Sequence, residues 1–185
     1  TDYRMIQRKA GDISQLRSQI YGVELSYGNA IDLLFAGIEA NYFSNYANLM
    51  YNTHFDGSLS EIEAINIPNR NSGYSVRGNV SKRFDVIATT VNLAGGYMQS
   101  WSDLLRESVI MPSQYSLITA ELGFNTRITK AVRVDYKAMY NRSMSTIAND
   151  TSPAINLLKQ SADIDFIIAH NVICRIGVEH FLNSA

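Results

Sequence analysis

Near its end the sequence places His170, Cys174 and His180, two imidazoles and a thiol, which are ligand types for zinc. On an extended strand His170 and Cys174 are separated by about four residues at roughly 3.3 Å each. Ligands of one zinc ion stand only about 2.0–2.3 Å from it, so these two cannot share a metal. They read as two interfacial histidines and a small apolar filler. Asp163 and Asp165 share a strand face and resemble the carboxylate pair of a general acid–base site. No third group clusters with them in sequence, so they read as acids on a wet face. Glu61 and Glu63 form a similar pair beside a loop, where calcium is the ion to consider. Arg127, Lys130 and Arg133 gather at a turn. A nucleic-acid reading would need a broader basic surface with stacking aromatics, so they are assigned to anionic headgroups or solvent. Tyr42, Tyr46, Tyr51 and Phe55, along an expected loop arm, could stack on sugar rings or pack as a girdle. No Gly-rich phosphate cradle and no nucleophile–base pattern is present. No enzyme is expected, and no metal or cofactor.

The elements carrying these residues are strands. In Ser113–Tyr140, Ile118, Ala120, Leu122 and Phe124 alternate with Thr119, Glu121, Gly123 and Asn125. After a short link, Val132, Val134, Tyr136, Ala138 and Tyr140 alternate with Arg133, Asp135, Lys137 and Met139. Side chains on a strand point alternately to opposite faces, so each run has an apolar face and a charged one. A helix would spread the same residues around its whole circumference. The pattern repeats at 19–27, from 31 onward, at 74–83, 87–97, 163–168 and 172–179. About eight strands in an antiparallel up-and-down meander are expected. Short connections fall near 28–30, 84–85, 128–131 and 169–171. Long ones fall near 53–60, 103–112 and 146–155, with Asp56-Gly57 as a hairpin signal and Pro68 with the following NRNSG as a break.

Bulk properties narrow the class. The 185 residues carry 16 Lys and Arg against 17 Asp and Glu, a net charge of −1, so no global field favours nucleic acid. Charged residues are 18%, with 11 Tyr and 3 Pro, a profile of long strands rather than of disorder. Cys174 is the single cysteine, which rules out an internal disulfide. No stretch is apolar for long enough to make a transmembrane helix, but a membrane barrel needs only strands of about 9–11 residues. Three features favour such a barrel. The apolar face is Ala, Val, Ile and Leu with Tyr toward strand ends, the opposite face mixes both charge signs with Gly, Ser, Thr and Asn, and the strands are long. A soluble all-β ligand- or carbohydrate-binding module is the alternative. The abrupt start at Thr1 and the close at LNSA suggest a piece of something longer.

The run YGNAIDLLFAGIEANY followed by NLMY, a long loop and GYSVRGNVSKRFD resembles the C-terminal half of TonB-dependent receptor barrels of the Bacteroidetes type. Tyr27 to Asn29, Asn48 to Tyr51 and Ser81 to Phe84 carry the match. The resemblance implies an outer-membrane location and a role in nutrient uptake through a barrel of about 22 strands. It also implies TonB as a partner through a plug region absent from this sequence, outer-membrane lipid around the wall, and a surface lipoprotein as a further partner. The nutrient ligand and its binding residues are not readable. Residues 1–185 are expected to form a single fragment of the barrel domain, with its first and last strands unpaired rather than closed on each other.

Overall fold

The computed structural model describes residues 4–8, 14–56, 59–169 and 172–184. Their strands are β1 (Arg4–Arg8), β2 (Leu16–Asn29), β3 (Leu34–Ala47), β4 (Met50–Asp56), β5 (Leu59–Ile65), β6 (Asn69–Phe84), β7 (Thr89–Arg106), β8 (Val109–Arg127), β9 (Val132–Ile147), β10 (Asp150–Thr151), β11 (Ile155–Ala169) and β12 (Val172–Ser184). Eight of them are long and pair antiparallel in the order β2-β3-β6-β7-β8-β9-β11-β12. Among the described residues β2 pairs only with β3 and β12 only with β11, so the meander stays open at both edges.

Register puts the alternation of every strand in phase. Leu25 lies opposite Ile38, which lies opposite Gly78, then Gly95, Ala120, Tyr140, Leu158 and Leu182. On the other face Glu24, Glu39 and Arg77 share a row. Along the eight long strands the apolar face carries Asp, Glu, Lys or Arg only at Arg17, Arg70, Lys82, Asp103 and Arg142, all toward its margins. A soluble sheet covers its apolar face with a second layer. Here nothing among the described residues does so, and Val23, Leu25 and Ile176 remain 57–66% exposed.

The apolar band crosses the hydrogen-bonded rows obliquely. The row from Tyr27 through Ala36, Val80, Leu93, Leu122 and Ala138 is apolar or aromatic, yet ends in Gln160 and His180. The row from Phe84 is polar at Thr89 and Thr126, yet ends in Val134, Ile164 and Ile176. The band therefore slides about one residue per strand, or about 3.3 Å for each 4.8 Å step sideways. That corresponds to strands inclined at about 35°, the tilt of a barrel wall.

The turns at 30–33, 85–88 and 128–131 lie at one end, with Ala88 left-handed at φ 46°. The opposite end differs from the sequence expectation. The 103–112 stretch is not a loop, because β7 and β8 run on to a two-residue turn at Glu107-Ser108. The same happens at Ala148-Asn149 between β9 and β10. Both pairs have positive φ (49° and 62°, 48° and 71°), the backbone of a tight hairpin turn that normally takes Asn-Gly. Left-handed backbone costs a non-glycine residue free energy. Ser108→Gly is accordingly expected to stabilise the hairpin by about 0.5–1 kcal/mol, read as a raised urea midpoint of the folded protein.

The segment between β3 and β6 forms the β4–β5 hairpin, with Asp56 opposite Leu59. Residue 57 of the Asp56-Gly57 signal lies outside the described residues. β6 starts at Asn69, so NRNSG is strand rather than break. β4 pairs parallel with the tip of β7, and β1 parallel with β5. Leu49, Met50 and Leu105 are buried there, beside Asn52, whose Oδ1 accepts from the Ser108 N–H at 3.2 Å.

One irregularity sets the last pairing. Asp165 is opposite Arg175 and Ile167 opposite Ile173, but Ala169 is opposite Val172. Ile168 is the extra residue of a bulge.

Candidate functional site

The polar face is the candidate site. It carries a cavity of about 450 Å³ lined by Glu39, Arg77, Thr119, Glu121 and Asn141 among others. Neighbouring strands place opposite charges within reach. Lys137 Nζ is 2.9 Å from Glu121 Oε1, and Lys159 Nζ is 3.2 Å from Glu179 Oε1. Toward the short-turn end, Arg127, Arg133, Asp165 and Arg175 share one row across four strands. Asp165 is 7% exposed and accepts two bonds from Arg175, at 2.6 Å from Nε and 3.0 Å from Nη2. The adjacent row holds Asn125, Asp135 and Asp163, with the Asn125 amide donating to Asp135. A wall of paired charges and amides suits water and polar solutes.

The structure separates residues that the sequence grouped. Asp163 and Asp165 share a face but have different partners, since Asp163 faces Asp135 and Gly177 across the ladders. Arg127 and Arg133 oppose each other on the polar face, away from the apolar band, and Arg133 lies opposite Asp165. The Arg127 guanidinium also donates to the Lys130 carbonyl at 3.3 Å. Cys174 and His180 lie on the apolar face of β12, six positions or about 20 Å apart. Glu63 is exposed on β5. The side chains of Phe55 and Glu61, and all of His170, lie outside the described residues. Tyr42 and Tyr46 sit on strand β3 rather than on a loop arm, and Tyr51 is on β4.

Aromatic rings mark both margins of the apolar face. Tyr21, Tyr42 and Tyr74 share a row at the long-connection end. Tyr74 packs against Tyr97 and Trp101, with centroids 5.9 and 5.8 Å apart. The hydroxyls of Tyr74 and Tyr97 both donate to Gln99 Oε1 at 2.9 Å. At the other end Phe124 stacks on Tyr136, 6.1 Å between centroids. Aromatic belts of this kind bracket the lipid-facing band of membrane barrels.

An open antiparallel meander with a girdled apolar face and a charged one has the fold of an outer-membrane β-barrel wall. Solved structures with this fold include the ferric yersiniabactin uptake receptor FyuA from Yersinia pestis. It is 13% identical with a TM-score of 0.56, over 91% of this chain and 33% of that one. The copper transporter OprC matches at 11% identity and a TM-score of 0.56, over 90% of this chain and 28% of that one. The chain thus spans about a third of the length of these proteins. No protein-family model matches the sequence, and no curated protein does.

Proposed function

We propose that this chain is part of the barrel wall of a TonB-dependent receptor of the Bacteroidetes type, located in the outer membrane and engaged in nutrient uptake. The observation that carries the reading is the pair of open edges. Strands of 14 and 13 residues, β2 and β12, each leave one side without a partner among the described residues. Unpaired edges of this length are a liability in an isolated sheet, and further strands on both sides would satisfy them. The likeness to about a third of two larger chains, one named an uptake receptor and the other a transporter, supports the same view. In this reading residues 1–185 form one portion of the barrel domain. TonB acts through a plug contributed by other sequence, a surface lipoprotein is a further partner, and the charged polar face borders the nutrient's path.

Two measurements test it. The full-length protein should fractionate with the outer membrane and require detergent to stay monodisperse. The periplasmic domain of TonB should co-purify with it, and should fail to do so once the TonB-contacting segment is deleted. Absence of TonB binding by the intact protein would leave a barrel but remove the receptor.

A further inference from the structure

Of the five charged side chains on the apolar face, two share a row. Arg17, Tyr46 and Arg70 share one outward row on β2, β3 and β6. Among the described residues neither arginine has an ion-pair partner, and Arg70 Nε donates only to Ser44 Oγ at 3.1 Å. Both are exposed, and with Gln19 and Ser44 they line a groove of about 540 Å³. The row lies four residues beyond the Tyr21–Tyr42–Tyr74 row, about 13 Å along the strands. This places it past the aromatic margin, on the water side of the belt, where only a headgroup extended by sugars reaches. It lies at the end bearing the β4–β5 insertion, which in barrels of this kind is the outer surface. The strands holding the two arginines are about 10 Å apart, with the Tyr46 strand between them. Trp101 adds an indole nearby, and Asp103 is the one outward carboxylate at this end among the described residues.

We propose that the Arg17–Tyr46–Arg70 row binds the phosphorylated sugar headgroup of an outer-leaflet glycolipid. Guanidinium forks match phosphate oxygens bidentately, and amide and hydroxyl groups beside them suit sugar hydroxyls. The proposal rests on the barrel-wall reading, because a headgroup reaches this row only if the apolar face meets lipid.

The test uses full-length protein in a neutral detergent. Membrane fractionation and heat-dependent gel migration are checked first, and absence of the wild-type protein from the membrane fraction overturns the barrel-wall reading itself. Bisphosphorylated lipid A, dephosphorylated lipid A and inorganic phosphate are then titrated, with retained ligand read by native mass spectrometry. Lipid A should be retained with its phosphates and far less without them. R17Q and R70Q should each weaken retention about five-fold and the double variant about 30-fold. K82Q, outward-facing at the opposite end, should leave it unchanged. The proposal fails if the folded double variant keeps its lipid A, if dephosphorylated lipid A binds equally well, or if millimolar inorganic phosphate displaces the lipid.

Discussion

Leu122→Arg is expected to abolish assembly into the outer membrane, while Lys137→Ala leaves assembly intact. Leu122 stands between Leu93 and Ala138 in the middle of the apolar band, with Ile118 and Phe124 toward its margins on the same strand. An arginine near the bilayer midplane of a barrel costs about 2–4 kcal/mol. The cost is shared by every intermediate that must enter the bilayer. Val134→Arg, closer to the short-turn margin, should cost less because the longer side chain can reach the interface. Lys137 is on the polar face, where its loss leaves Glu121 in contact with water. Refolding into vesicles, followed by heat-dependent gel migration, checks the ranking. Normal folding of the Leu122→Arg protein would mean that the apolar face does not meet lipid.

The second large effect is expected at Asp165. Its carboxylate lies in the row where Arg127, Arg133 and Arg175 supply the other charges. Asp165→Ala leaves three guanidinium groups along one line with no acid between them, and like charges on adjacent strands repel. The expected loss is a measurable drop in the urea midpoint, smaller than for a fully enclosed pair, because the Arg175 side chain is 67% exposed. Arg175→Ala should cost less, since Arg133 still stands across from Asp165. Exchanging the two residues should not restore stability, because the new arginine would face Arg133. Urea midpoints of the full-length protein in vesicles give the order. A larger loss for Arg175→Ala than for Asp165→Ala would refute this account of the row.

The facing of each long strand was legible because period-two alternation is a local property, and one face must differ from the other wherever the strand crosses the band. Ile118, Leu122, Val134 and Tyr136 fall on one side, and Glu121, Arg133, Asp135 and Lys137 on the other, as alternation requires. Strand ends were less legible. Beyond Trp101 polar Ser102 and Asp103 are followed by Leu104 and Leu105 in succession, and Val109, Ile110 and Met111 also run together, so this stretch carries no alternating signal. The turns there use Glu-Ser and Ala-Asn, which give no glycine to mark a left-handed backbone. The β4–β7 pairing joins residues far apart in sequence and leaves no local trace. The Asp165–Arg175 pair was within reach of hairpin counting from the turn that the sequence leads one to expect at His170-Asn171. Without the bulge at Ile168, however, that count sets Asp165 opposite Ile176.

The bulge also bears on how such a wall can change length between generations. Loss of one codon inside β11 turns the residues on one side of the lesion over, sending acids toward hydrocarbon and aliphatic groups toward water. Loss of the Ile168 codon does not. It leaves Ala169 opposite Val172 and Ile167 opposite Ile173 in a regular ladder, with each remaining side chain on its own side. Ile168 thus works as an expansion joint, a place where the gene can gain or shed a residue while β12 keeps its orientation.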